Sequence, residues 1–163
     1  MSNKRILFLD FDGVVNTPLW TLNGWSMNMP KDNKVNNAEA VALISKFCTM
    51  FNFDIVVTSD WRLDDNWRQC LLNGGLDPQI CIRDKTTNLW HPQSSLCRGS
   101  EIQQWLNEHP EVEMFIIIDD DITDMLPEHM SHIIHTDEET GFTEWNFNQC
   151  IDIMLDFERR NKK

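Results

Sequence analysis

The sequence Ile6-Leu7-Phe8-Leu9-Asp10-Phe11-Asp12-Gly13 joins a short apolar run to two aspartates and a glycine. The run is rich in branched and aromatic residues and is apolar on both faces, which is typical of a buried parallel strand. Two other runs share this character, Asp54-Ile-Val-Val57 and Met114-Phe-Ile-Ile-Ile118, and two less apolar runs are further strand candidates, Gln79–Ile82 and His132–His135. The sequence therefore predicts a mainly parallel sheet.

Helical patterns lie between these strands. Asn37 can cap a helix whose apolar residues recur at three- and four-residue spacing, and the helical stretch 64–73 ends at a glycine pair. We also expect a helix from about Ser100 to Glu108 and a last helix near Thr143, whose hydroxyl suits the N-cap position.

This alternation of strands and helices predicts a doubly wound α/β fold, a Rossmann-like three-layer sandwich. A chain of 163 residues suits one domain, so we assign 1–163 to a single catalytic domain. The segments 16–36 and 83–98 read as irregular, and because both leave strand ends we expect both to border the ligand site.

The composition argues against several classes of protein. No apolar run approaches the roughly 20 residues that cross a bilayer, and Asp10 interrupts the start where a signal peptide would still be apolar, so we expect a cytoplasmic protein without a membrane partner. The five cysteines form no C-x-x-C pair and are expected to be reduced. The net charge of −12 argues against extended nucleic-acid binding, but not against a site for one phosphate and a metal ion.

Polar residues follow each of the three most apolar strands. The first runs into Asp10 and Asp12, the second into Thr58-Ser59-Asp60, and the third into Asp119-Asp120-Asp121 with Asp124 beyond. Because the ends of parallel strands lie side by side, these carboxylates should converge and repel one another unless a cation lies among them. Hard oxygen ligands in this number favour Mg²⁺.

These residues resemble the motifs of the haloacid dehalogenase (HAD) superfamily. Phe8-Leu-Asp10-Phe-Asp12-Gly-Val-Val15 is similar to its first motif, Ile55-Val-Val-Thr58 to its second, and Ile116-Ile-Ile-Asp119-Asp120 with Asp124 to its fourth. The third motif is a basic residue before a helix. Arg98 resembles this residue in its position, although lysine is usual there, and Lys85 is the alternative candidate for the third-motif residue.

The resemblance implies a Mg²⁺-dependent phosphatase that works through an aspartyl-phosphate. It implies that Asp10 is the nucleophile and that Asp12 is the general acid and base, with its carbonyl oxygen on the metal. It also implies that Asp10, Asp119 and Asp120 bind the metal, with Asp124 and Ser59 in supporting roles. Thr58 and Arg98 would contact the phosphoryl group. Gly13 would form a turn that lets backbone amides approach the phosphate. Which of Asp119 and Asp120 binds the metal directly stays open.

A narrower resemblance extends to a branch that includes domains associated with RNA-repair assemblies. It rests on Ser59-Asp-Trp61-Arg62, on Arg98-Gly-Ser-Glu-Ile-Gln-Gln-Trp-Leu106, and on Thr136-Asp137 with Gly141-Phe-Thr143. The resemblance implies a nucleotide or a polynucleotide phosphate end as the substrate. The intervals between the motifs are too short for a folded cap domain, so we expect an open site with a minimal cap or none.

Other readings of these residues remain open. Trp20, Trp25, Trp61 and Trp90 could stack on a nucleobase or could cover the edge of the core. Arg62 and Lys85 are candidates for substrate binding, but for Arg62 a surface or ion-paired role is favoured over contact with a substrate phosphate. The alternatives to a nucleotide phosphatase are a catalytically idle binding module with the same fold and a phosphoprotein phosphatase.

Overall fold

A five-stranded parallel sheet forms the centre of the structure, a computed structural model that describes residues 4–21, 24–26, 33–89 and 97–162. The strands are β1 Arg5–Leu9, β2 Leu19–Thr21, β3 Gly24–Ser26, β4 Asp54–Val57, β5 Ile82–Lys85, β6 Met114–Asp119 and β7 Ile133–His135. The α-helices are α1 Ala38–Phe51, α2 Trp67–Asn73, α3 Cys97–Glu108 and α4 Glu144–Asn161, and 3-10 helices cover Asp60–Leu63 and Pro127–His132.

The strand order confirms the doubly wound α/β prediction. The sheet runs β5-β4-β1-β6-β7 with every pair parallel, while β2 and β3 form a separate antiparallel pair. The chain leaves β1 for β4 and β5, then crosses to β6 and β7 on the other side of β1. The order therefore reverses between β1 and β6, and ligands of such sheets bind at the strand ends beside this reversal.

Alternate residues of β1 face two different hydrophobic cores. Leu7 and Leu9 lie in the larger core with residues of α1, α2 and α4. Ile6 and Phe8 lie in a smaller core with Ile102 and Trp105 of α3. Because both faces of the strand are covered, its residues are apolar without alternation, as the sequence predicted.

Side chains fix the helix starts that the sequence predicted. Asn37 accepts a hydrogen bond from the backbone of Ala40 at the start of α1, and the Thr143 backbone donates to the Asn146 side chain at the start of α4. None of the described helices combines the length and the apolar character needed to cross a membrane.

Several predicted boundaries were wrong. The edge strand occupies Ile82–Lys85 rather than Gln79–Ile82, because Asp77 accepts from the backbones of Gln79 and Ile80 and holds them in a turn. Segment 83–98 is therefore not irregular throughout, and segment 16–36 contains the β2–β3 pair.

The starts of α2 and α3 also differ from prediction. Helix α2 begins at Trp67 because a 3-10 helix, capped by Ser59, precedes it, and α3 begins at Cys97, three residues before the predicted Ser100.

Candidate active site

Three aspartates meet where β1 and β6 end. Asp10 and Asp119 are buried and Asp120 is partly buried, and one carboxylate oxygen from each lies within 4.8 Å of the others. The backbone continues the sheet at this point, since Asp10 donates to the carbonyl of Ile118 at 3.1 Å. The sheet therefore brings together Asp10 of the first motif and Asp119 and Asp120 of the fourth, as the sequence predicted, but it does not bring the Asp12 carboxylate into this cluster.

Within the described part of the chain, Arg98 is the cation that touches this cluster. Its Nη1 atom lies 2.7 Å from Asp119 Oδ2 and 3.2 Å from Asp10 Oδ1. Lys85, the alternative third-motif residue, instead donates its Nζ to the backbone carbonyl of Arg62 at 2.7 Å. The geometry thus favours Arg98, which stands in the first turn of α3 rather than before the helix.

Asp124 holds the start of α3 in place. Its Oδ2 accepts from the backbone of Arg98 at 3.0 Å, and its carbonyl accepts from Gly99 at 3.1 Å. A Cβ atom at Gly99 would lie 2.7 Å from the Asp124 carbonyl oxygen and from the Leu126 nitrogen, so only glycine lets the helix approach this closely. Asp124 therefore supports the site by fixing the helix that carries Arg98.

The electrostatics of the cluster are unfavourable to so much negative charge. Burial, and then repulsion from Asp119, raises the pKa of Asp10 well above its ordinary value. Burial also raises the pKa of Asp119 to about 6 although Arg98 opposes the change. Burial alone would lower the pKa of Arg98, but attraction to Asp10 and Asp119 raises it. One guanidinium thus does not offset three carboxylates.

The donor set of the cluster fits a hard divalent cation. Asp10, Asp119 and Asp120 offer carboxylate oxygens, which Mg²⁺ prefers to nitrogen or sulfur. Burial, together with repulsion from neighbouring carboxylates, raises the pKa of Asp10 and Asp119, and a bound cation would offset that repulsion. Among the residues that the structure describes, neither a cysteine nor a histidine belongs to this group. The ligand chemistry therefore suits magnesium better than zinc.

Gly13 shapes the loop that follows Asp10. Its φ is +74°, a conformation that favours glycine, and an added Cβ would lie 2.4 Å from the carboxyl carbon of Asp120. The Thr136 hydroxyl donates to the Gly13 carbonyl at 2.7 Å, and the Phe142 backbone donates to Val14 at 2.9 Å. The segment after β7 thus fixes this loop by hydrogen bonds to its backbone carbonyls, a role that the sequence motifs did not reveal.

Asp12 lies outside the carboxylate cluster and has partners of another kind. Its Oδ1 accepts from Asn16 Nδ2 at 2.8 Å, and its Oδ2 accepts from the indole Nε1 of Trp61 at 3.0 Å. Sequence reasoning missed Asn16. The signal available was a polar residue four positions after Asp12, at the end of the apolar pair Val14-Val15.

Thr58 is fully buried at the end of β4, and no group in the described part of the chain hydrogen-bonds to its hydroxyl. A buried hydroxyl without a partner is costly unless a ligand supplies one. Ser59 instead caps the next 3-10 helix, accepting from the Trp61 backbone at 3.4 Å.

The residues considered for substrate binding have varied positions. Arg62 is only 2% exposed and bonds to Glu101, to Asp60 and to the carbonyls of Thr58 and Thr86, which favours the structural role over contact with substrate. A cavity of about 490 Å³ lies beside Asp12, lined in part by Trp61. The side chains of Trp20 and Trp25 and the whole of Trp90 lie outside the described residues.

Comparison with known proteins agrees with this geometry. A search of curated proteins found no significant match. A comparison with protein families matched residues 6–147 to the HAD domain in Swiss Army Knife RNA repair proteins. That interval spans β1 to the start of α4 and contains every residue of the cluster described above. The chain therefore belongs to the HAD superfamily, in the family of HAD domains found in Swiss Army Knife RNA repair proteins.

Proposed function

We propose that this protein is a magnesium-dependent phosphatase that hydrolyses phosphomonoesters through an aspartyl-phosphate on Asp10. The observation that carries the proposal is the position of Asp10, which contacts Arg98 and lies within ligand distance of Asp119 and Asp120. A carboxylate among other carboxylates becomes a useful nucleophile only when cations attract the phosphate to it.

The reaction divides into two steps. In the first, a carboxylate oxygen of Asp10 attacks phosphorus, the bond from phosphorus to the leaving oxygen breaks, and Asp12 gives its proton to that oxygen. In the second, Asp12 takes a proton from water, whose oxygen attacks phosphorus and releases inorganic phosphate and the Asp10 carboxylate. Mg²⁺, held by Asp10, Asp119, Asp120 and the Asp12 carbonyl, would supply positive charge for the phosphoryl oxygens.

Two further residues would contact the transferring group. The Thr58 hydroxyl has no hydrogen-bond partner among the described residues and is free to donate to a phosphoryl oxygen. The side chain of Arg98 is 19% exposed, so it can contact a ligand while it remains paired with Asp119. Both contacts would strengthen as negative charge develops on the oxygens.

The substrate class that we propose is a nucleotide or the phosphate end of a polynucleotide. The family name associates this domain with RNA repair proteins, which favours a polynucleotide end. The net charge of −12 disfavours long contacts along a nucleic-acid backbone, so recognition would be limited to the terminal nucleotides.

A phosphatase screen tests this function. Wild type and Asp10→Asn would be assayed with 4-nitrophenyl phosphate, nucleotides, phosphopeptides and oligonucleotides phosphorylated at the 3′ or 5′ end, each with Mg²⁺ and with chelator. We expect Mg²⁺-dependent release of phosphate by the wild type alone. Turnover that survives chelation, or that persists in Asp10→Asn, would contradict the mechanism, while binding without turnover would identify an idle module. Activity confined to phosphopeptides would identify a phosphoprotein phosphatase.

A further inference from the structure

The carboxylate of Asp12 is held by two uncharged donors, one on each oxygen. Asn16 Nδ2 lies 2.8 Å from Oδ1, and Trp61 Nε1 lies 3.0 Å from Oδ2. Asp10, only two residues away, is instead paired with a guanidinium and lies among carboxylates. Two carboxylates in such different surroundings are suited to different chemical roles.

Asn16 is fixed by a compact backbone loop. The backbone N–H groups of Val14, Val15 and Asn16 all donate to the backbone carbonyl of Phe11. The backbone carbonyl of Asn16 accepts from the backbone N–H of Gly13 at 2.8 Å. The side chain is 3% exposed. Because the loop closes on itself beside Asp12, the Asn16 amide group has little freedom to turn away from the carboxylate.

Trp61 is fixed by a different part of the chain. Its ring packs edge-to-face on Phe11, with the ring centres 5.4 Å apart. Its neighbour Arg62 is buried and bonds to the carbonyl oxygens of Thr58 and Thr86, which anchors the short 3-10 helix to the ends of β4 and β5. The indole N–H is therefore presented to Asp12 by a rigid support.

We propose that Trp61 and Asn16 are positioning residues that direct the Asp12 carboxyl group toward the leaving oxygen of the substrate. The proposal rests on the function proposed above. Each Asp12 oxygen accepts one N–H and keeps a second lone pair, which can carry the proton. That proton passes to the leaving oxygen as the bond from this oxygen to phosphorus breaks, and the electron pair of the broken bond stays on the leaving oxygen. Trp61 thus acts on the reaction through Asp12 and not by stacking on a base.

This role makes Trp61 matter most for poor leaving groups. An alkoxide must receive a proton as it departs, whereas 4-nitrophenolate departs readily without one. The value of kcat/KM reports the steps up to departure of the first product, so it isolates the donation of the proton from the later attack of water. If the Asp12 carboxyl group is no longer correctly oriented, kcat/KM should therefore fall far more for an alkyl phosphate than for an aryl phosphate.

The test compares Trp61→Phe with Trp105→Phe. Trp61→Phe keeps an aromatic ring against Phe11 but removes the N–H donor. Trp105 is a matched control, because its indole N–H also donates to a carboxylate, Asp84 Oδ2, at 3.0 Å, but on α3 away from Asp12. Each variant would be assayed with glycerol 3-phosphate and with 4-nitrophenyl phosphate in Mg²⁺, after a thermal melt has established that it is folded.

We expect the ratio of the two kcat/KM values, alkyl over aryl, to fall at least about tenfold in Trp61→Phe, since general acid catalysis contributes roughly 10² to 10⁴ in rate. The ratio should stay at the wild-type value in Trp105→Phe. An unchanged ratio in a folded Trp61→Phe protein would overturn the inference while the phosphatase function stands. Absence of Mg²⁺-dependent phosphate release by the wild type from every substrate of the phosphatase screen would overturn the proposed function itself, and the inference with it.

A second measurement does not depend on activity. In the ¹H–¹⁵N spectrum of the indole groups, the Trp61 signal is the one that disappears in Trp61→Phe. We expect this signal to move, and its proton to exchange faster with water, in Asp12→Ala. A Trp61 signal that is the same in Asp12→Ala and in the wild type would show that the hydrogen bond is absent in solution and would overturn the inference.

Discussion

At the scale of single residues, Arg98 rather than Lys85 is the basic residue in contact with the carboxylate cluster. Arg98 touches both Asp10 and Asp119, whereas Lys85 bonds to a backbone carbonyl and lies 5.4 Å from the ring centre of Trp67. A guanidinium can bond to two oxygens at once in a fixed plane, which an ammonium group does less well. The arginine can therefore keep one carboxylate partner and still face a phosphoryl oxygen.

Arg98→Ala and Lys85→Ala test this assignment. We expect Arg98→Ala to lower kcat/KM for 4-nitrophenyl phosphate at least about 100-fold, because a charged donor to the transferring group is lost. Lys85→Ala should stay within about threefold of the wild type, which corresponds to less than about 0.7 kcal/mol. A large loss confined to Lys85→Ala would transfer the third-motif role to Lys85.

The raised pKa of Asp10 predicts how stability depends on pH in the absence of metal. An acid whose pKa is higher in the folded state than in the unfolded state stabilises the fold below its unfolded pKa of about 4, and that contribution is lost as pH rises through the folded pKa. Asn at position 10 has no such proton to lose. In chelator, the unfolding free energy of Asp10→Asn relative to wild type should therefore increase from pH 4 to pH 8, as measured by urea titration. A difference that is flat or that declines would contradict this.

At the scale of secondary-structure elements, one buried ion pair connects the second motif to the helix of the third. Arg62 Nη2 lies 2.8 Å from Glu101 Oε2, and their side chains are 2% and 4% exposed. Arg62 also bonds to the Thr58 carbonyl, and Glu101 stands one turn after Arg98 in α3. The pair therefore fixes the distance between the end of β4 and the helix that carries the active-site cation.

Glu101→Gln should destabilise the protein although the change is nearly isosteric. Without the Glu101 carboxylate, the buried charge of Arg62 keeps, among the described residues, only the exposed Asp60 as an ionic partner, and removing one partner of a buried pair costs about 3 to 5 kcal/mol. Asp156→Asn is the matched control, because Asp156 pairs with Arg159 on the surface and such pairs contribute at most about 1 kcal/mol. Urea unfolding curves give both values. Similar losses in the two variants would contradict the role of the buried pair.

The sequence predicted the elements better than the contacts between them. The apolar runs of β1, β4 and β6 predicted the sheet, because burial on both faces of a strand produces an unbroken apolar run. The aspartates after β1 and β6 predicted the cluster, although Asp12 lies outside it. The Asp12 contacts to Asn16 and Trp61 were not predicted, since they depend on how a loop and a 3-10 helix fold back. The position of the edge strand β5 was predicted wrongly because only Ile82 among its four residues is apolar, so the strand leaves little apolar pattern in the sequence.

At the scale of the whole molecule, folding holds together carboxylates that repel one another. At an effective dielectric constant of 20, two unit charges 4 Å apart interact by about 4 kcal/mol. A cation that binds only the folded protein offsets this repulsion and stabilises the fold by about 2.7 kcal/mol when present at a hundredfold excess over its dissociation constant.

Magnesium should therefore raise the melting temperature of the wild type. Asp120→Asn removes one carboxylate from the cluster, so this variant should melt higher than the wild type in chelator and gain less from millimolar Mg²⁺. Asp152→Asn, an equal change of charge on the exposed side of α4, controls for net charge and should respond to Mg²⁺ as the wild type does. Equal responses in all three proteins would place the ion elsewhere.

The central position of β1 has a consequence for synthesis of the protein. This strand is translated before the other strands of the sheet, yet one of its neighbours is β6, and Arg5 pairs with Met114. At roughly 5 to 20 residues per second, the ribosome needs about 5 to 20 s to supply that neighbour. During this interval the nascent chain presents an apolar strand with an unpaired edge, which is a target for aggregation and for chaperones. Synonymous codon changes that slow elongation between β1 and β6 should therefore lower the yield of native protein without changing its final stability.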